Sequence, residues 1–120
     1  MANLNMAHSF DFTVGAVDGL VTKKSAGNYA LGYIKTSGNF VVKYVGRADD
    51  DLNARIKEHI GESEEYKKVK YSYAASPEEA FEKECTNYHE FGENKKLDNK
   101  MHPARPDGTA WKCPICDIYK

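Results

Sequence analysis

The chain has 120 residues, 41% apolar and 29% charged, and its 17 Lys and Arg against 18 Asp and Glu give a formal net charge of -1. That is the length of one domain, large enough to bury roughly two thirds of its unfolded surface, and no apolar run approaches the ~20 residues of a membrane span. The near-neutral balance excludes a strongly basic nucleic-acid binder, so a role on nucleic acid has to rest on local constellations.

In chain order, residues 1–26 read as an N-terminal extension in which Gly15, Gly19 and Thr22-Lys23-Lys24-Ser25 interrupt short apolar stretches, with an extra strand expected around Phe10 to Val14. Met1-Ala2-Asn3-Leu4-Asn5-Met6 lacks a basic region followed by an apolar one, so no secretory leader is expected and the location is expected to be cytoplasmic. Tyr29 to Ile34 and Phe40 to Val45 are β-prone and flank the turn cluster Thr36-Ser37-Gly38-Asn39, which predicts a hairpin. Asp49-Asp50-Asp51 then offers an N-cap, with Leu52, Ile56 and Ile60 at helical spacing and Gly61 as the stop. Val69 to Ala74 predicts a third strand. Ser76-Pro77-Glu78-Glu79 has a capping-box shape and predicts a second helix from Pro77 to about Phe91. Asn94 to Thr109, with Pro103 and Pro106, reads as an extended loop leading to Trp111-Lys112-Cys113-Pro114-Ile115-Cys116. The expected order is β-β-α-β-α plus a tail.

In this frame Gly27-Asn28-Tyr29 and Tyr44-Val45-Gly46 lie on the hairpin, Arg55 follows with Leu52 and His59 around it, Glu84 ends Glu79-Ala80-Phe81-Glu82-Lys83-Glu84, and Asn99 lies in the loop beyond. Together and in this order they resemble the motifs of the GIY-YIG nuclease superfamily over about residues 27–100, with residues 101–120 as a C-terminal tail. The resemblance implies an α+β fold with a small three-stranded antiparallel sheet flanked by helices. It also implies a metal-dependent endonuclease that hydrolyses phosphodiester bonds in DNA, of the repair, restriction or mobile-element type.

Hydrolysis of an anionic phosphodiester needs an activated water, a cation on the phosphate and help for the leaving oxygen. By the resemblance, Tyr29 or a metal-held water assists the nucleophile, Tyr44 hydrogen-bonds the water or the phosphate, Arg55 neutralises the phosphate, and Glu84 holds Mg²⁺ or Mn²⁺. His59 lies i+4 from Arg55 and can reach the same phosphate or take a proton. Arg47, immediately after Gly46, is a candidate second phosphate contact held in reserve. The sequence departs from the family at one place: positions 29 and 44 are further apart than the usual hairpin spacing, and Tyr33 would restore it. Tyr29 is preferred because Gly27 precedes it, with Tyr33 in reserve. Singly, each residue has a plainer reading: cross-strand packing for the tyrosines, a solvated helix face for Arg55 and Glu84, and a surface or core position for His59.

The three cysteines suggest a second metal site. Cys85 and His89 share a helix face and Cys113-Pro114-Ile115-Cys116 is a CxxC knuckle, so Cys85, His89, Cys113 and Cys116 form a Cys₃His set suited to structural Zn²⁺, with His102 as substitute fourth ligand. The plainer reading is a buried Cys85 and a free dithiol. A redox role is disfavoured because no thioredoxin-like βαβ surrounds the pair. The remaining alternative to an enzyme is a non-catalytic nucleic-acid or protein binding module on the same fold. The expected partners are DNA and a protein that supplies substrate affinity, with no membrane association.

Overall fold

The sequence signals become, in the computed structural model, β1 (Phe10–Asp11), α1 (Val14–Leu20), β2 (Gly27–Ile34), β3 (Phe40–Ala48), α2 (Leu52–Lys57), β4 (Lys68–Tyr73), α3 (Pro77–Glu90) and α4 (Glu93–Lys96). Residues 4–6 and 8–119 are described; residues 1–3, 7 and 120, which belong to the two flanking segments, lie outside them. The predicted caps are in place. The Asp51 carboxylate accepts the Ala54 amide at 3.2 Å and the Ser76 hydroxyl accepts the Glu79 amide at 3.2 Å, with Pro77 at the first helical position. Gly38 takes φ 93° in the hairpin turn, where an L side chain would be strained.

Four features differ from expectation, the first being that α2 ends at Lys57, with Glu58 as its C-cap, short of the expected stop at Gly61. The expected strand at residues 10–14 stops at Asp11, because the Thr13 hydroxyl accepts the Ala16 amide at 3.2 Å and opens α1. Gly15 and Gly19 are poor helix formers, so α1 is held by tertiary burial of Val17 and Val21 and not by propensity. The sheet has four strands, not three: β1 adds antiparallel to β4 through Phe10 opposite Val69, giving the order β1-β4-β2-β3, all antiparallel. The N-terminal segment thus contributes Phe12, Val17 and Val21 to the main core. The loop expected after α3 also contains the short α4.

Helices cover both faces of the sheet. Tyr29, Leu31, Val69, Leu52 and Ile56 form the core on the α1/α2 face, while Ala30, Val45, Tyr88 and Leu97 form a second core on the α3 face. The central strand β2 is therefore buried on both sides, as its near-continuous apolar run requires. β3 is an edge strand, a position where unpaired backbone groups need cover. The segment after α4 supplies it. Asn99 Oδ1 accepts the Val45 N–H at 3.0 Å and its Nδ2 donates to the Val45 carbonyl at 2.8 Å, while the Asp98 amide donates to the Lys43 carbonyl at 2.6 Å. Asn99 acts as one residue of a missing strand. No described helix is long and apolar enough to cross a membrane.

Candidate functional site

A cleft of about 540 Å³ is lined by the end of β3, the start of α2, Glu84 of α3 and Ala104 of the tail. Tyr29, Tyr44, Arg55 and Glu84 line it, so the pairing of Tyr29 with Gly46 and the phase of the two helices bring four of the expected residues together. The fifth, His59, contacts both tyrosines. Tyr33 is paired with Val41, further along the hairpin, and faces a different depression beside Glu64 and Glu65. Geometry thus places the preferred tyrosine, not the reserve, in the cleft.

Gly46 is required by close approach. A Cβ there would lie 2.3 Å from Tyr29 Cζ and 2.4 Å from its hydroxyl, so the ring crosses the strand only because no side chain intervenes. The Tyr29 and Tyr44 rings stack at 6.3 Å, and the His59 ring sits 5.4 and 4.8 Å from them.

Inside this cluster the Tyr29 hydroxyl lies 2.6 Å from His59 Nε2, and His59 Nδ1 lies 2.6 Å from Glu62 Oε1. An ionised carboxylate only accepts, so Nδ1 carries a proton, Nε2 of the neutral ring is bare, and the phenol donates to it. Burial, reinforced by Tyr44, pushes the Tyr29 phenol well above its usual value, and burial does the same to Tyr44. Tyr29 therefore rests neutral, aimed at a proton acceptor.

Arg55 is 45% exposed and pairs with the 59% exposed Glu58, a contact that contributes little and exchanges easily for another anion. Arg47 is different. Expected as a second phosphate contact, it lies across the Phe81 ring and is already engaged: Nη1 donates to Glu84 Oε1 at 2.6 Å, Nε to Asp49 at 2.9 Å and Nη2 to the Ala104 carbonyl at 2.8 Å. Burial pushes the Glu84 carboxyl up against the opposing pull of Arg47. Asp49, Asp50 and Asp51 on the rim also have local partners, in Arg47, Lys24 and the Ala54 amide.

Between α3 and the tail a second cluster gathers His89, His102, Cys113 and Cys116, whose ligand atoms all lie within 4.8 Å of one another and could hold a metal ion. The expected set is corrected at one position: His102 takes the place of Cys85. Although Cys85 is one turn from His89, its side chain is fully buried with Phe81 and Cys113 under Trp111, outside the four donors. Burial pushes the Cys113 thiol up, but the Ile115 and Cys116 amides and the His102 side chain outweigh it, bringing it down to about 6.

Comparison with protein-family models, curated proteins and solved structures finds no match to this chain. Glu62 and Glu93 were missed in the sequence although both stand at helical spacing, i+3 from His59 and i+4 from His89, a pattern that signals an oriented imidazole. The Ala104 carbonyl on Arg47 left no such trace, because a backbone acceptor has no residue type.

Proposed function

We propose that the cleft is the active site of a metal-dependent endonuclease that hydrolyses phosphodiester bonds in DNA. The observation that carries this reading is the convergence on one cleft of a phenol aimed at an oriented imidazole, a second phenol, an exposed guanidinium and a carboxylate. Glu84 fits a magnesium or manganese ion in kind, since Arg47 engages its Oε1 and such cations bind through one or two carboxylates plus water and substrate oxygens. When bound, the ion neutralises charge developing on the phosphate and the leaving oxygen.

The side chains divide the remaining work. Tyr29 takes the proton of the attacking water on its oxygen as its own passes to His59 Nε2, and Glu62 steadies the imidazolium. The water oxygen bonds to phosphorus, the bond to the leaving sugar oxygen breaks, and that oxygen is protonated by solvent. Arg55 exchanges Glu58 for a non-bridging phosphate oxygen, and Tyr44 hydrogen-bonds the same group. With a net charge of -1 and three aspartates at the rim, substrate affinity falls in part to a protein partner.

The Arg47–Glu84 pair favours a second reading, a binding module in which the guanidinium neutralises Glu84 permanently. The test is cleavage of supercoiled plasmid and short duplexes by wild type and Glu84→Ala with Mg²⁺, Mn²⁺ or EDTA. Nicking that needs the ion and disappears in the variant supports the enzyme. DNA binding without cleavage under every condition supports the module.

A further inference from the structure

The two histidines beside the CxxC knuckle are set in the same electronic state by different means. His89 Nδ1 lies 2.6 Å from Glu93 Oε2, and His102 Nδ1 lies 2.9 Å from the Pro103 carbonyl oxygen. Both partners only accept, so each Nδ1 carries the proton and each Nε2 presents a bare lone pair. Those lone pairs converge: the rings are 5.1 Å apart, and His102 Nε2 lies 3.5 Å from Cys116 Sγ.

His89 Nε2 is buried and has no hydrogen-bond partner. A buried acceptor left unmade costs about 1–3 kcal/mol, so its persistence calls for an occupant. The neighbouring sulfurs narrow the choice. Cys113 and Cys116 come from one tight turn in which the Ile115 amide points at Cys113 Sγ at 3.4 Å, the way a backbone donor offsets charge on a ligating sulfur.

The geometry points to a structural zinc site with His89 Nε2, His102 Nε2, Cys113 Sγ and Cys116 Sγ as its four ligands and Glu93 as the carboxylate that orients His89. Two soft thiolates and two imidazoles form a tetrahedral set matched to zinc, whereas magnesium and calcium take oxygen donors. Four protein donors close the coordination sphere, and the rings of Tyr88 and Tyr119 pack beside His102 at 5.5 and 5.8 Å, leaving the ion a structural task. That task is to fasten a tail. Beyond α4 the described chain has no helix or strand, so little secondary structure holds it, and the zinc joins its two ends, His102 and the knuckle, to α3. Two residues past His102, the Ala104 carbonyl meets Arg47, so the ion also fixes the segment bordering the cleft. This inference does not depend on what the cleft does.

The test is metal analysis of the full chain purified without chelator, followed by replacement with Co²⁺. The expected result is one zinc per chain and a cobalt spectrum with thiolate charge-transfer and intense tetrahedral d–d bands. His102→Ala should weaken zinc binding, Glu93→Gln should weaken it about 10–100-fold, and Cys85→Ser should leave stoichiometry and spectrum unchanged. Should His102→Ala fail to fold, His102→Cys keeps the assignment testable, since it should retain one metal and gain charge-transfer intensity from a third thiolate. Folded protein that is metal-free and gives no tetrahedral cobalt spectrum, or that carries a Cys113–Cys116 disulfide, overturns the site. So does loss of metal in Cys85→Ser with retention in His102→Ala.

Discussion

His59 and His89 are oriented alike and face different things. Each donates Nδ1–H to a carboxylate on its own stretch of chain at 2.6 Å, Glu62 for one and Glu93 for the other, and each thereby offers a bare Nε2 to the interior. At His59 that atom receives the Tyr29 phenol proton; at His89 it receives nothing. The orienting carboxylate makes an imidazole available, and the surroundings of Nε2 decide its use. Among oxygens and a proton donor it is placed to act as a base, and beside two sulfurs and a second bare imidazole it is placed to act as a ligand.

The comparison breaks first at Tyr29. If His59 is the acceptor in a proton relay, Tyr29→Phe should lower the DNA-nicking rate by about 10²–10⁴-fold while leaving the zinc content untouched; plasmid relaxation kinetics beside metal analysis measure both. A loss confined to a few-fold would reduce the Tyr29–His59 contact to packing.

Glu62→Gln sharpens the same half. The amide oxygen can still accept from Nδ1, so the tautomer is kept and only the charge is lost. We expect about a 10-fold fall in rate, near the low end for an orienting carboxylate because Glu62 is half-exposed. An unchanged nicking rate would assign Glu62 no electrostatic part.

Gly46→Ala tests the shape of the first site alone. The added methyl meets the Tyr29 ring at 2.3 Å, so either ring or strand must shift, with an expected destabilisation of about 1–3 kcal/mol by thermal or urea unfolding. The cobalt spectrum of the second site should be unchanged. Ser76→Ala is the smallest effect and the shared control. It removes the cap of α3, which carries both Glu84 and His89, and should cost about 1 kcal/mol in unfolding free energy without distinguishing the two sites.

The sequence marked the elements whose signals are local. Turn residues at Gly38, a capping aspartate at 51 and Ser76-Pro77 located the hairpin and two helices, because caps and turns act over three or four residues. It did not reveal α1, whose Gly15 and Gly19 argue against helix until Val17 and Val21 find the core; it offered an extra strand near Phe10 but not its place in the sheet, which is set by Phe10 lying opposite Val69. In the cleft, the residue types and their order were readable, whereas the need for glycine at 46 emerged only with the crossing of Tyr29 over the strand. Which tyrosine belongs to the cleft was settled by strand register, a property of the pair and not of either strand.

By itself, then, the sequence determined which chemistry is carried: phenols, an arginine, a carboxylate and a histidine over residues 29–84, and thiols with imidazoles after them. Tertiary structure alone decided who meets whom. It turned Arg47 from a free cation toward Glu84 and the Ala104 carbonyl, and it exchanged Cys85 for His102 in the second cluster. The reason is physical: helical spacing says that Cys85 and His89 share a face, but the closing tail fixes which donors converge, and it buries Cys85 with Phe81 while carrying His102 to Cys116.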